Sequence, residues 1–217
     1  MKIVVTAGPT REPIDPVRFI SNRSSGKMGY ALAETALELG HEVTLISGPT
    51  ALTPPHGARM VYITTSDELH DAVHAQVRHC DVLVMCAAVA DYKPAVTAAQ
   101  KMQKQTGEFA LRLAPTRDIL ASLPQENRSY LVVGFAAETH NLEASARRKL
   151  FAKHCDMIVA NDVSGTDCGM ESDDNAVTIF FRDGESETIS RAPKKNIARA
   201  LMKIVFNERE KSLTKKS

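Results

Sequence analysis

The sequence lacks the features that would direct it to nucleic acid or to a membrane. Its 27 Lys and Arg residues nearly balance its 26 Asp and Glu residues, so no overall field favours polyanions or acidic surfaces. No apolar run is long enough to span a bilayer. The N-terminus opens directly into a strand-like segment without a secretory signal. We therefore expect a cytoplasmic protein that binds neither nucleic acid nor membranes.

Cysteine is scarce, and its spacing excludes a metal-binding cluster. The 4 cysteines do not have the spacing of metal ligands. Three lie in or beside apolar runs, where a cysteine behaves as a small apolar residue. We expect reduced core thiols among the four, which are Cys80, Cys86, Cys155 and Cys168.

Familiar nucleotide-binding and catalytic motifs are also absent. The loop after the first strand-like segment contains neither GxGxxG nor GxxxxGK[ST]. No Ser-His-Asp or Cys-His arrangement is evident. A nicotinamide-dependent oxidoreductase is expected to have a Lys four residues after a Tyr, and none of the 4 tyrosines has one. These absences count against an oxidoreductase, which stays open as an alternative.

What is present is an alternation of strand-like and helical segments. Apolar runs rich in β-branched residues lie at 3–6, 42–46, 60–63, 82–86, 130–134 and 157–160. Helical patterns lie at 26–40, 67–78, 117–123, 141–155 and from about 197 onward. Helices between continuous apolar strands are typical of a parallel sheet covered on both faces. We predict an α/β fold with a Rossmann-like, open, mostly parallel sheet, in a single domain over residues 1–210. Residues 211–217 are expected to form a frayed, charged tail.

Two segments break this alternation. Residues 91–108 are polar, separate the strand-like 82–86 from the strand-like 109–113, and are predicted to form a mobile flap. Residues 176–189 alternate in polarity on either side of Asp183-Gly184, which predicts a C-terminal β-hairpin.

A long polar loop, TAGPTREPIDPVRFISNRSSGKMG from Thr6, follows the first strand-like segment. Short polar side chains such as Asn22 and Ser24 precede a helix start, where they could satisfy unpaired N–H groups. Gly26 would let the backbone approach a ligand, Gly29 would let the helix pack closely, and Lys27 adds positive charge. These features indicate a phosphate site at the helix N-terminus. An ordinary capped helix with a basic loop is the alternative.

Small or polar residues follow three of the strand-like segments, at the end where open parallel sheets bind ligands. Ala87 and Ala88 could admit a flat base or sugar, and their carbonyls could accept from an exocyclic amino group. Asp91 could hold a ribose hydroxyl or a magnesium ion, and could equally be a turn cap. Phe135 could stack on a base or belong to the core, and the third segment ends in Asn161-Asp162. Together these ends predict one crevice.

Lys149 and Lys153 share one stripe of a predicted helix with apolar residues. They either extend along apolar surface to water or reach a ligand over the sheet. Lys101, in the KMQK run of the flap, has the same two interpretations.

Four segments, spread from residue 6 to residue 164, carry a resemblance to a known family. They are the long loop above, AAVADYKP from Ala87, VGFAAET from Val133 and IVANDVS from Ile158. With these segments the chain resembles phosphopantothenoylcysteine synthetase, the phosphopantothenate–cysteine ligase of coenzyme A biosynthesis. In many bacteria this domain is fused behind a flavin-dependent decarboxylase. Because Met1 opens the synthetase segment itself, we expect a stand-alone enzyme without flavin.

The resemblance implies a two-step ligation. The carboxylate of 4′-phosphopantothenate attacks the α-phosphorus of CTP, which gives an acyl-cytidylate and pyrophosphate. The amine of L-cysteine then attacks the acyl carbon and releases CMP. A divalent cation such as Mg²⁺ is the implied cofactor, and a homodimer and a separately encoded decarboxylase, acting next in the pathway, are the implied partners.

The resemblance also implies roles for individual residues. Asn22 falls on the family asparagine that turns over the acyl-cytidylate, and Lys101 falls on the first lysine of a KxKK flap motif that here reads KMQK. The family's Asn-Pro-Asp-Ile is matched more loosely by Thr-Arg-Asp-Ile at 116–119. Asp91 is expected to bind the metal. The implied nucleotide site comprises Ser24, Gly26, Ala87, Ala88, Asp91, Lys101, Asp118, Ile119, Phe135, Lys149 and Lys153. A catalytically silent homologue that regulates a partner is the remaining alternative.

Overall fold

One eight-stranded sheet runs through the protein, with helices on both of its faces. The structure is a computed structural model that describes residues 1–104, 106–138, 141–162 and 172–214. The strands are β1 (Lys2–Ala7), β2 (Arg11–Pro13), β3 (Phe19–Ser21), β4 (Glu42–Ser47), β5 (Arg59–Tyr62), β6 (Val82–Met85), β7 (Tyr92–Pro94), β8 (Leu113–Pro115), β9 (Leu131–Glu138), β10 (Met157–Asp162), β11 (Asp174–Phe181) and β12 (Ser186–Pro193). The helices are α1 (Lys27–Glu38), α2 (Ser66–Val77), α3 (Leu142–Ala152) and α4 (Lys194–Thr214).

The strand order in the sheet is β12-β11-β10-β9-β6-β1-β4-β5. The six strands from β10 to β5 are mutually parallel, whereas β11 and β12 pair antiparallel at one edge. This arrangement confirms the predicted α/β fold, its mostly parallel sheet and its C-terminal hairpin. The carboxyl ends of β1, β6, β9 and β10 consequently lie side by side at one edge of the sheet.

Each face of the sheet has its own apolar core. Residues of α1 and α4, among them Leu32 and Leu201, are fully buried against one face. Residues of α2 and α3, among them Leu69 and Leu150, are buried against the other. Burying one such side chain contributes roughly 1.5–3 kcal/mol, so the two layers hold the strand ends in fixed positions. A Cβ placed on Gly29 would lie 2.5 Å from the Cβ of Ala7, which confirms that this glycine lets α1 pack closely on β1.

Two sequence predictions of local structure are wrong. Residues 117–123 do not form a helix; they form turns at 119–122 with one helix-like bond, in which the Ser122 N–H donates to the Asp118 carbonyl (3.1 Å). Pro124 follows directly and disfavours a helical residue before it. The predicted strand at 109–113 is limited to Leu113, the first residue of β8.

Two short hairpins were not predicted from the sequence. Strands β2 and β3 pair within the long loop after β1, and β7 pairs with β8 across the flap. Both involve strands of only three residues, which are too short to show an alternating pattern. The last helix continues to Thr214, four residues beyond the predicted domain end at 210, and residues 215–217 lie outside the described residues.

Three cysteines confirm the predicted core thiols. Cys80 and Cys155 are buried and Cys86 is half-buried, and all three are free. Burial raises the pKa of each thiol to about 12, so none is a thiolate at neutral pH. Cys168 lies outside the described residues. None of the four described helices combines the length and apolar character needed to cross a membrane.

Candidate active site

A cavity of about 480 Å³ opens at the carboxyl ends of the central strands. This volume lies within the roughly 300–1,000 Å³ range of small-molecule sites in proteins. All the predicted site residues except Lys101 line it, namely Asn22, Ser24, Gly26, Ala87, Ala88, Asp91, Asp118, Ile119, Phe135, Lys149 and Lys153. The structure therefore brings together residues from four distant segments of the chain, as the predicted crevice required.

The floor of the cavity consists of residues 85–89, at the end of β6, and residues 6–10 at the end of β1 hold this floor in place by hydrogen bonds. The Thr6 hydroxyl accepts hydrogen bonds from the N–H groups of Cys86 (3.1 Å) and Ala87 (3.0 Å). The Ala88 N–H donates to the Gly8 carbonyl at 2.9 Å. Because buried backbone groups here have fixed partners, the floor is preorganised.

Asn22 is held directly against this floor. Its side-chain Nδ2 donates a hydrogen bond to the Ala88 carbonyl at 2.9 Å. The same carbonyl accepts from the Thr10 N–H at 3.1 Å. A carbonyl oxygen has two lone pairs, so these two donors satisfy the Ala88 oxygen. Of the two carbonyls expected to bind an amino group, that of Ala87 is therefore the better candidate.

The start of α1 differs from an ordinary side-chain-capped helix. The N-cap residue is Gly26, in the left-handed conformation at φ 79°, and it has no side chain with which to cap the helix. A Cβ at this position would lie 2.7 Å from Thr50 Cγ2. The Ser24 hydroxyl accepts from the Gly26 N–H at 3.3 Å. The N-terminus of α1 has no side-chain cap, and such a helix N-terminus favours an anion-binding role.

Lys149 and Lys153 both reach the cavity from the end of α3. Lys153 Nζ lies 3.5 Å from the Asp118 carboxylate, and Asp118 itself lines the cavity. Ala146, which is buried, lies one turn before Lys149 on the same stripe of α3. The helix therefore packs its apolar residues against the sheet and directs Lys149 and Lys153 to the strand ends. This geometry supports the interpretation in which these lysines reach a ligand.

Lys101 is exposed and lies outside the cavity lining. Its neighbour Met102 is anchored, because the Met102 N–H donates to the Asp15 carboxylate (3.1 Å) and its carbonyl accepts from Arg18 (2.8 Å). The Arg18 guanidinium beside Asp15 holds the pKa of that carboxyl well below its usual range. The flap is thus fastened to the loop between β2 and β3.

Sequence reasoning missed two polar residues that line the cavity, Lys194 and Asn175. Asn175 is buried in β11, and Lys194 is buried at the first position of α4. Burial lowers the pKa of Lys194, and the positive charge of Lys27 lowers it further. A lysine in the first turn of a helix opposes the helix dipole, and this was the signal available in the sequence.

The chain matches the DNA/pantothenate metabolism flavoprotein C-terminal domain over residues 1–208. It is 49% identical over 187 residues to the coenzyme A biosynthesis bifunctional protein CoaBC of Vibrio vulnificus strain CMCP6, covering 84% of this chain and 46% of that protein. It is 46% identical over 197 residues to CoaBC of Bacillus subtilis strain 168, covering 90% of this chain and 48% of that protein. The chain therefore spans about half the length of these curated relatives.

The fold is also similar to that of solved structures. The crystal structure of the C-terminal domain of a CoaBC protein superposes with a TM-score of 0.82 at 42% identity, covering 97% of this chain and 96% of that domain. The relationship therefore extends over the whole described sheet and its helices, and includes the segments that line the cavity.

Proposed function

The chain belongs to the family of DNA/pantothenate metabolism flavoprotein C-terminal domains, and on this premise we propose that it joins 4′-phosphopantothenate to L-cysteine in coenzyme A biosynthesis. The products are 4′-phosphopantothenoylcysteine, CMP and pyrophosphate, formed through an acyl-cytidylate. The observation that carries the proposal is the single cavity in which Asn22, Asp91, Lys149 and Lys153 meet. The name of the relatives supports a role in coenzyme A biosynthesis, and the residues that line the cavity support the ligation chemistry.

The first step joins the pantothenate carboxylate to the nucleotide. A carboxylate oxygen forms a bond to the α-phosphorus while the bond from that phosphorus to the bridging oxygen breaks, and the electron pair leaves with pyrophosphate. Such a displacement depends on alignment and charge neutralisation more than on a strong base. Lys101 of the flap would supply positive charge, and the backbone at Gly26 supplies a helix N-terminus.

A magnesium ion fits this cavity when it is bound together with nucleotide phosphates. Among the described residues, no group of three or more His, Cys, Asp or Glu side chains could hold a metal ion alone. Magnesium is usually held by one or two carboxylates with substrate phosphates and waters. Asp91 would provide the carboxylate, with Asp118 across the same cavity. The ion would neutralise phosphate charge.

The second step transfers the acyl group to cysteine. The cysteine amine attacks the acyl carbon, CMP leaves with the electron pair of the broken C–O bond, and the amine loses a proton to solvent. Asn22 is fixed beside Ala88 by its 2.9 Å hydrogen bond, so its amide can orient the acyl phosphate. A neutral amide suits this position because a carboxylate would repel the anionic phosphate.

The proposed preference for cytosine rests on the hydrogen-bonding groups along the edge of the base. Lys149 and Lys153 can donate to the O2 and N3 acceptors of cytosine, because an ammonium donates hydrogen bonds and accepts none. The Ala87 carbonyl would accept from the exocyclic amino group. Phe135 is half-buried on β9 and lines the cavity, where it can contact the base.

The flap would bring Lys101 to the triphosphate. We propose that residues 91–108 close over the cavity when substrates bind and exclude water from the acyl phosphate. The anchor at Asp15 holds Met102, the neighbour of Lys101, beside the loop that carries Asn22. Lys101 then adds one cation to the reacting phosphates.

A homodimer is supported by exposed apolar residues around the two short hairpins. Large apolar side chains are at least 47% exposed there, an arrangement that often marks protein–protein contacts. These residues are Val17, Phe19, Tyr92, Val96, Phe109 and Leu113. Sedimentation of the purified chain tests this state. A visible absorption spectrum of the same sample tests the expectation that no flavin is used.

A product assay with omission controls tests the proposed function. The wild type is incubated with 4′-phosphopantothenate, L-cysteine and Mg²⁺, together with CTP, ATP or UTP. We expect the coupled product only when all substrates are present, and fastest turnover with CTP. Pyrophosphate release without coupled product would indicate activation alone, and the absence of both products would indicate a silent homologue.

A further inference from the structure

A second pair of lysines lies in the cavity, on the face of the sheet opposite Lys149 and Lys153. Lys27 is the first residue of α1 and Lys194 is the first residue of α4, and both line the cavity. Helices α1 and α4 pack on one face of the sheet, whereas α3 packs on the other. The strand ends therefore lie between two pairs of lysines. The proposed binding of the base uses only Lys149 and Lys153.

Lys194 is placed where an ammonium group is unfavourable. The residue is 6% exposed, and its Nζ donates a hydrogen bond to the carbonyl of Ser172. Burial of a charged group is costly, and the positive end of a helix dipole adds to that cost. Lys27 is a second positive charge nearby. An anion bound at this end of the cavity would offset all three effects.

The two lysines also act on one carboxylate, that of Asp173. Lys27 Nζ lies 2.6 Å from the Asp173 carboxylate, which is 87% exposed. Asp173 is thus shared between two ammonium groups, since it also acts electrostatically on Lys194. Both ammonium groups thus lie at one end of the cavity, next to the N-terminus of α1 at Gly26.

We propose that Lys194, together with Lys27, binds the outer phosphates of the nucleotide and stabilises pyrophosphate as it leaves. This inference rests on the proposed function, which supplies the triphosphate. In the first step the negative charge grows on the pyrophosphate oxygens as the bond from the α-phosphorus to the bridging oxygen breaks. A cation fixed beforehand at that position stabilises the transition state more than the ground state.

Lys27 and Lys194 are assigned to pyrophosphate and not to the base because the two pairs of lysines lie on opposite faces of the sheet. The base is assigned to Lys149 and Lys153 on the α3 face. A triphosphate that extends from there across the ends of β9 and β6 reaches the start of α1, where Gly26 and Lys27 line the cavity. Lys194 stands beside Lys27 at that end. The leaving group therefore departs toward the α1 and α4 face.

Calorimetric titration with two separate probes tests this assignment. Inorganic pyrophosphate and CMP are titrated into the wild type and into Lys194→Met, which keeps a similar side-chain length and removes the charge. We expect pyrophosphate binding to weaken about 10- to 100-fold, because a hydrogen bond to a charged group is lost. CMP binding should stay within about twofold. The matched control is Lys195→Met, since the adjacent Lys195 is exposed and paired with Glu34 and Glu38.

A second variant separates binding from folding. Lys194→Met also removes the hydrogen bond to Ser172, so its melting temperature is measured alongside. Lys27→Met changes a side chain that is 37% exposed, and it should show the same selective loss of pyrophosphate binding. Equal losses of pyrophosphate and CMP in both variants, or unchanged pyrophosphate binding in Lys27→Met, would overturn the proposal. So would a loss confined to 4′-phosphopantothenate, titrated as a third probe.

The same titrations distinguish this inference from the proposed function. Pyrophosphate binding needs no turnover, whereas the ligase activity of the wild type is read from the product assay. A wild type with ligase activity but no lysine-dependent pyrophosphate binding overturns the inference alone. A wild type without ligase activity that still binds pyrophosphate through Lys194 overturns the proposed function, and with it the leaving-group role, while showing an anion site.

Discussion

The floor and the flap of the cavity differ in how the chain holds them in place. The floor, residues 85–89, is fastened to the end of the neighbouring strand β1 by hydrogen bonds, such as those to the Thr6 hydroxyl at 3.0 and 3.1 Å. The flap, residues 91–108, is fastened to the loop after β1, where Met102 meets Asp15 and Ala98 N–H donates to the Ile14 carbonyl at 2.9 Å. The proposed function therefore depends on the folded core at the floor, and on a surface segment at the flap.

The largest effect should come from the flap. Lys101→Gln is expected to slow turnover by about 30- to 1000-fold, because one oriented cation at a phosphoryl site contributes about 2–4 kcal/mol to the barrier. The melting temperature should not change, since Lys101 is exposed. Steady-state kinetics and thermal unfolding measure the two quantities. Lys203→Gln, which changes an exposed lysine of α4, is the control and should keep turnover near the wild-type value. A Lys101→Gln protein that melts well below the wild type would show that the flap is part of the folded core.

Asn22, whose side chain is hydrogen-bonded to the floor at Ala88, tests the proposed chemistry. Asn22→Asp places a carboxylate beside the acyl phosphate, so the second step should slow more than the first, by about 10- to 100-fold. The acyl-cytidylate should then accumulate on the enzyme, where mass spectrometry of a quenched reaction would detect it. Full product formation with no detectable intermediate would remove Asn22 from this role.

Gly29 tests the structural part of the floor. Gly29→Ala would place a Cβ 2.5 Å from Ala7 Cβ and 3.0 Å from the Thr6 carbonyl oxygen. Because β1 cannot move without disturbing its neighbours, the free energy of unfolding should fall by about 1–3 kcal/mol. Chemical denaturation measures this loss. A variant as stable as the wild type would contradict the rigid floor.

The lysines of α3 should have a smaller and more selective effect. Lys149→Ala and Lys153→Ala are expected to raise the KM for CTP about three- to tenfold, and the KM for 4′-phosphopantothenate by less. Kinetics against both substrates, with ATP and UTP as competitors, measure the difference. Arg148→Ala changes an exposed charge directly before Lys149 and is the control. Unchanged nucleotide kinetics in both variants would mean that these lysines only extend along apolar surface to water. Equal use of ATP by the wild type would contradict the cytosine assignment and leave the ligase proposal standing.

The smallest effect concerns the flap anchor and pH. Arg18 lowers the pKa of Asp15 below its ordinary value of 3.8, so the anchor contributes stability above that pH and loses it as the pH falls toward the lowered pKa. Thermal unfolding of the wild type below about pH 4 should therefore show an extra decrease that Asp15→Asn lacks. Parallel pH profiles of the two proteins would contradict the role of this ion pair.

The sequence predicted the parts of this molecule that depend on periodicity, and missed those that depend on tertiary contact. Continuous apolar strands and the stripes of α1 and α4 mark the sheet and its layers, because burial imposes those patterns. The segment 117–123 forms only turns because Pro124 disfavours a helical residue before it. Lys194 was missed because two adjacent lysines begin α4 and only the structure shows which of them is buried.

Oxygen labelling of the carboxylate tests the central claim most directly. If the carboxylate of 4′-phosphopantothenate attacks the α-phosphorus and CMP later leaves the acyl carbon, one carboxylate oxygen must be transferred to CMP. The wild type is therefore incubated with CTP, L-cysteine and 4′-phosphopantothenate that carries ¹⁸O in both carboxylate positions. Mass spectrometry of the released CMP should find one ¹⁸O per molecule and no label in pyrophosphate. Unlabelled CMP, or label found in pyrophosphate, would contradict an acyl-cytidylate formed in this cavity.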